Sequence, residues 1–177
     1  MRQYTVYGGS FDPIHVGHLS MIERAVALGY TVIVVPAYRH AFGKKSAPFA
    51  HRVRMCELAL EACQLQEHTR LCTIEATLAG EKPLPVYTYD VLCALRDTLQ
   101  QAPSLLIGPD VVAEWARWYR HEDIDREFGR MCLPETCPVR STEIRQRLQA
   151  GVPPAMLCTV IPEAVMAYIL AAGLYQE

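Results

Sequence analysis

The chain has 177 residues, 51 % of them hydrophobic and 20 % charged, with a formal net charge of −2. That balance excludes a disordered chain, and the missing basic excess argues against a nucleic-acid binder. Seven cysteines (56, 63, 72, 93, 132, 137 and 158) form no C-x-x-C pair, which argues against a zinc ribbon or thioredoxin-like site and suits free thiols in a reducing compartment.

QYTVY, 3–7, reads as the first strand, followed by a Gly-rich loop and a helix over 16–28 that Gly29 closes. TVIVVP, 31–36, is a β-branched run suited to a strand covered on both faces. The polar loop 37–48 leads to a helix over 49–63, and RLCTIE, 70–75, reads as a third strand. A helix over 87–100, a strand over 104–108 and one long helix over 111–128 follow. GRMCLP, 129–134, is a weak fifth strand, and STEIRQRLQAG, 141–151, is a helix closed by Gly151. PEAVMAYILAAGLY forms the last helix, with Pro162 and Glu163 at its start. Strand and helix alternating about five times imply parallel strands joined by crossover helices. The expected fold is α/β: a Rossmann-like, doubly wound parallel sheet of about five strands with a C-terminal helical segment. Residues 1–177 are expected to form a single domain, with 152–177 as its helical tail. AVMAYILAAGLYQ is too short to span a bilayer and no signal-peptide block opens the chain, so a soluble cytoplasmic protein is expected.

In an open parallel sheet, ligands sit at the carboxyl ends of the strands. The stretch YGGSFDPIHVGHLS, 7–20, leaves the first strand there. Gly8 and Gly9 allow a sharp turn and a close backbone approach. The following helix begins near His15, so its free amides face the loop. His15 and His18 are three apart and share one side of the first turn, and Gly17 between them leaves room for a bulky anion. This pattern points to a phosphate seat with two imidazole donors. A single histidine in such a place more often caps its helix. A metal pair would need a third ligand that the sequence does not supply nearby. Neither G-x-G-x-x-G nor a Walker loop is present: GKKS, 43–46, ends like one, but Tyr38 stands where its first glycine must be.

GGSFDPIHVGHL resembles the H-x-G-H signature of a nucleotidyltransferase superfamily. Within it, the chain is similar to the bacterial nicotinate/nicotinamide mononucleotide adenylyltransferases. Lys44 resembles the basic residue of that family's P-H-K segment, VYTYDVL (86–92) its S-Y-T-x-D-T-L, and LLIGPD (105–110) its I-G-x-D. Trp118-Tyr119 match its aromatic pair, and VRSTEIRQRL (139–148) is similar to its I-S-S-T-x-I-R. The ending IPEAVMAYILAAGLY also has the family's usual form, so the motifs run from residue 7 to residue 175.

The resemblance implies attack by the mononucleotide 5′-phosphate on the α-phosphorus of ATP, giving a dinucleotide and pyrophosphate. Mg²⁺, held mainly by the ATP phosphates, would assist, and no metal-ligating residues are expected. The implied catalytic residues are His15, His18, Lys44 and Arg145. ATP would be bound by Gly9, Ser10, Phe11, His18, Gly108, Asp110, Ser141, Thr142 and Arg145. The mononucleotide would meet Gly8, Gly9, Lys44, Thr88 and Trp118, the indole stacking on the pyridine ring. The residues themselves leave plainer readings open. Lys44 and Lys45 suit a solvated loop, Trp115 a core anchor, Thr88 a helix cap, and Ser141 or Thr142 caps the next helix in either case. Asp90 reads as structural.

Three features depart from the family pattern. Arg140 stands at the first serine of S-S-T, either as a phosphate contact or facing solvent. The segment between Trp118 and Arg140 is short, and His40 is displaced from Lys44. The nearest alternative is another H-x-G-H enzyme of the phosphopantetheine adenylyltransferase kind, which typically has Thr where His15 stands. Cytidylyltransferases share H-x-G-H and resemble the chain less elsewhere. A non-catalytic nucleotide sensor is the alternative from another class. Neither membrane nor nucleic acid is expected as a partner; a homo-oligomer is compatible with the sequence.

Overall fold

A computed structural model describes residues 3–39, 46–81 and 85–176. Five strands form one parallel sheet in the order β3-β2-β1-β4-β5, comprising β1 (Gln3–Gly9), β2 (Tyr30–Pro36), β3 (Thr69–Leu71), β4 (Ser104–Ile107) and β5 (Arg130–Cys132). Between and after them come α1 (Val16–Ala27), α2 (Phe49–Ala62), α3 (Ile74–Glu81), α4 (Thr88–Leu99), α5 (Pro109–Glu114), α6 (His121–Glu127), α7 (Ser141–Gln149) and α8 (Glu163–Ala171). This is the Rossmann-like α/β fold that the alternation of elements predicts.

Side chains alternate across the sheet because a strand's period is two. Val32, Val34 and Leu106 point to one face, where they meet Ile22, Met55, Ile144 and Ile169 of α1, α2, α7 and α8. Val6, Ile33, Val35, Leu105 and Ile107 point to the other, against Leu92, Trp115 and Ile124. With both faces covered, the central strands read as continuous apolar runs.

Two expected elements differ. Only the beginning of the 70–75 strand is extended. Cys72 N–H still donates to Val34 O (2.9 Å), but Ala76 N–H donates to Thr73 O (3.0 Å) and the chain turns into α3. The edge strand stops after three ladder partners, and the following E-A-x-L-A run is made of good helix formers. The long helix over 111–128 is broken. α5 ends in a 3-10 turn at Trp115–Arg117, Trp118 is extended (φ −76°, ψ 139°), and Arg120 is left-handed at φ 56°. The break lets Trp115 bury itself and donate Nε1–H to Asp125 Oδ2 (3.0 Å) while Trp118 packs on it at 5.4 Å. Anchoring two indoles outweighs the weak propensity for a continuous helix.

In the order 3-2-1-4-5 the chain reverses its winding between β1 and β4. That places the crevice outside the carboxyl ends of those two strands.

Candidate active site

A cavity of about 530 Å³ opens at that crevice. Gly8 and Gly9 at the end of β1 and Ser10 after it line it, with Gly108 and Asp110 after β4. His15, His18, Thr88, Trp118 and Ser141 reach it from α1, α4, the segment after α5 and α7. The structure therefore brings together ten of the residues that the resemblance implies for catalysis and substrate binding.

The two histidines are joined by their backbone bonds. His15 is the N-cap of α1, and its Nδ1 accepts from Gly17 N–H at 3.1 Å. His18 Nδ1 accepts in turn from His15 N–H at 3.3 Å. The rings stack with centroids 3.7 Å apart and planes at 23°. A ring nitrogen that accepts a hydrogen bond carries no proton, so each neutral imidazole must hold its proton on Nε2. The capping role and the ligand-facing role thus coexist, Nδ1 serving the first and Nε2–H free for the second. Burial, with Arg140 nearby, lowers the pKa of His15 to about 4. Burial, then the charge of His15, then that of Arg140 hold His18 well below its ordinary value. Both rings are neutral donors at pH 7.

The glycines have specific neighbours. A Cβ on Gly17 would stand 2.9 Å from the carbonyl oxygen of Cys137 and 2.9 Å from Cε1 of His15. Its missing side chain admits the 137 backbone and the cap ring, and Gly17 itself lines the cavity where the anion is expected. At Gly108 a Cβ would meet Asp110 Oδ1 at 2.9 Å, so the glycine lets that carboxylate fold back over the end of β4.

Three predicted residues stand off the cavity wall. Phe11 is buried with a positive φ of 47°, its ring edge-on to Tyr7 and His18 at 5.8 and 5.0 Å. Arg145 donates from Nη1 to Asp12 O (2.6 Å) and from Nη2 to Thr142 Oγ1 (3.3 Å), while Nη1 lies 3.6 Å from the Asp12 carboxylate. Neither Ser141 nor Thr142 caps α7. The cap position is Arg140 with no side-chain cap bond, and Ser141 Oγ instead donates to Pro13 O (2.9 Å), pinning α7 to the loop after β1. Likewise Tyr87, not Thr88, takes the cap position of α4, with its N–H donating to Asp90 Oδ2 (3.4 Å). Asp90 is structural, and the Thr88 side chain is not needed as a cap. Lys44 and His40 lie outside the described residues, as does Lys45.

Sequence reasoning assigned no role to three charged residues of the wall, Arg39, Glu75 and Glu135, and left Arg140, also on the wall, open between a phosphate contact and solvent. It also missed the support beneath. Arg52 is buried and donates to the carbonyls of Ser10 (2.8 Å), Ala37 (2.7 Å), Tyr38 (3.2 Å) and Ala47 (2.9 Å), tying the loops after β1 and β2 together. Asp12 Oδ1 accepts from Ala47 N–H (3.1 Å) and from the hydroxyl of Tyr175 (2.6 Å). Glu75 accepts from Tyr38 N–H (2.8 Å), and burial raises its pKa to about 7 against the lowering effects of that bond and of Arg52. The only early signal for Arg52 was a lone cation on the inner face of a helix.

Residues 6–147 match the cytidylyltransferase-like family. A probable nicotinate-nucleotide adenylyltransferase of Anaeromyxobacter dehalogenans (strain 2CP-C) is 36 % identical over 192 residues, covering 99 % of this chain and 97 % of the relative. One from Roseiflexus sp. (strain RS-1) is 32 % identical, covering 97 % and 96 %. In fold, the chain is similar to the nicotinic acid mononucleotide adenylyltransferase of Plasmodium falciparum complexed with NaAD, at a TM-score of 0.81, 18 % identity and coverage of 99 % and 98 %. The wall of glycines and paired histidines at the β1/β4 crevice and these likenesses along the whole chain agree: the chain belongs to the cytidylyltransferase-like family and, within it, to the nicotinate-nucleotide adenylyltransferases.

Proposed function

We propose that the protein transfers AMP from MgATP to nicotinate mononucleotide, forming the dinucleotide and releasing pyrophosphate in NAD biosynthesis. The acid rather than the amide acceptor follows the names of the relatives. The observation that carries the reading is the histidine pair, whose two Nδ1 atoms are occupied by backbone N–H groups so that two Nε2–H donors are left at the cavity. The mononucleotide 5′-phosphate oxygen attacks the α-phosphorus in line as the bond to the bridging β-oxygen breaks. Pyrophosphate, complexed with Mg²⁺, leaves without needing a general acid. Catalysis is then positioning plus stabilisation of charge on the α-phosphoryl oxygens, and preset neutral donors in a recessed site suit it.

On this reading Gly9, Ser10, Gly108, Asp110 and Ser141 hold the ATP side, Asp110 accepting from ribose hydroxyls. Gly8, Thr88 and Trp118 serve the mononucleotide. Lys44, outside the described residues, supplies a charge to a phosphate. Arg145, with Phe11 and Thr142, acts from behind the wall, where the bond to Asp12 O fixes the loop after β1; a direct phosphate contact would require its guanidinium to leave that carbonyl. Residues 152–177 work within the same nucleotidyltransferase unit, since Tyr175 reaches Asp12. No helix among the described residues is long and apolar enough to cross a membrane, in keeping with work in the cytoplasm. The deciding experiment is pyrophosphate release with MgATP and each mononucleotide. Release with nicotinate mononucleotide supports the reading, whereas ATP binding without release from either acceptor would make the protein a sensor.

A further inference from the structure

We propose that Arg140 is a phosphate ligand of this site, held ready by Glu135 and handed from that carboxylate to the triphosphate of the incoming nucleotide. The inference rests on the nucleotidyl-transfer reading and adds a residue to it. Among the described residues, the cationic side chains on the cavity wall are Arg39 and Arg140. The paired imidazoles are neutral and Arg145 is engaged with Asp12 off the wall. A triphosphate entering beside the histidines therefore meets its nearest α7 guanidinium at Arg140.

The state of Arg140 fits such a role. It occupies the N-cap position of α7 without using its side chain as a cap. Both of its terminal nitrogens engage Glu135, Nη1 with Oε1 and Nη2 with Oε2 at 3.1 Å, and Nη1 also donates to Val139 O at 3.2 Å. Glu135 lies on the cavity wall too. A carboxylate that fills both prongs of a guanidinium offers it the same planar pair of oxygens that one edge of a phosphate offers. The pair is solvated, at 49 % and 34 % side-chain exposure, so it contributes little to folding and is cheaply opened. A phosphate carries more charge and gives the guanidinium a stronger fork. The exchange runs downhill once MgATP is bound, and Glu135 keeps the cation aimed at the cavity until then. The charge of Arg140 already acts on both His15 and His18, so it is felt at the same wall as the paired donors.

Arg140→Gln and Glu135→Gln break the same ion pair, and the proposal gives them opposite results. In steady-state pyrophosphate release, Arg140→Gln raises KM for MgATP by roughly 10-fold or more, the loss of a charge-assisted contact. The KM for mononucleotide stays within about twofold, an interaction on the other substrate being untouched. Glu135→Gln leaves KM for MgATP unchanged or lowers it, and Arg140→Lys recovers part of the loss. Calorimetric binding of inorganic tripolyphosphate follows the same order. Equal rises in KM for both glutamine variants would mean that the pair is only a latch on the 133–140 segment and would overturn the proposal, as would an unchanged KM in Arg140→Gln. If the wild-type protein releases no pyrophosphate with either acceptor, the nucleotidyl-transfer reading fails by itself. The tripolyphosphate titration then still decides Arg140, equal affinity of wild type and Arg140→Gln overturning it.

Discussion

At the residue scale the site depends on which nitrogen of each histidine carries the proton. Backbone donors hold both Nδ1 atoms, so the Nε2–H groups are committed before any substrate arrives. His18→Ala should lower kcat by about 10²-fold to 10³-fold, the usual cost of one preset donor on a developing oxyanion, and raise KM for ATP much less. Parallel losses in both parameters would make it a ground-state ligand. The pKa of His15 is lowered to about 4, which has a sign. The folded state resists the proton that the unfolded chain accepts at its ordinary value, so this stability is full above about pH 6.5 and is lost as pH falls toward about 4, on the order of 3 kcal/mol in all. Glu75, raised to about 7, works oppositely as pH falls from about 7 to its ordinary value, so the raw curve mixes the two. His15→Asn keeps a cap acceptor without the titration, and the stability gap between it and wild type should shrink on acidification from pH 6.5 to 4. A constant gap in denaturant titrations would contradict the coupling.

At the scale of elements, α1 and the strands beside it were legible because their signals are local. A β-branched run, a Gly-Gly turn and a histidine before a helical period each act within a few residues. α3 and the broken α5/α6 segment were not, because their form is decided by partners far along the chain. β3 ends where its ladder with β2 ends, and the 3-10 turn exists to seat two indoles. The cap of α1 couples to the segment before α7 through Gly17, whose missing Cβ admits the 137 carbonyl. A backbone oxygen cannot swing aside, so Gly17→Ala should cost about 1–3 kcal/mol as an overpacking substitution. Thermal unfolding would report it, and a variant as stable as wild type would show that the two segments separate freely.

Across the whole molecule, distant segments converge on the turn after β1. Arg52 of α2 binds its carbonyl at Ser10, Arg145 of α7 its carbonyl at Asp12, and Tyr175 beyond α8 its carboxylate. Asp12 is buried at 4 % exposure, so each partner matters more than it would in water. Tyr175→Phe removes one hydrogen bond to a charged acceptor and should cost about 1.5–3 kcal/mol, with Tm falling by several degrees at this chain size. An unchanged Tm would show that the C-terminal residues do not brace the site. The motif implies a direct phosphate grip for Arg145, and in the structure its guanidinium holds the loop at Asp12.

The amino-acid sequence by itself determined the alternation of strands and helices, the crevice at their carboxyl ends and the paired histidines at a helix start, because periodicity, turn chemistry and capping act over one or two turns of chain. Only the tertiary structure decided which guanidinium faces the cavity and what fills the space beside Gly17. Those depend on contacts between residues more than a hundred positions apart, such as Ser141 with Pro13 and Tyr175 with Asp12, and no local pattern encodes a distance of that kind.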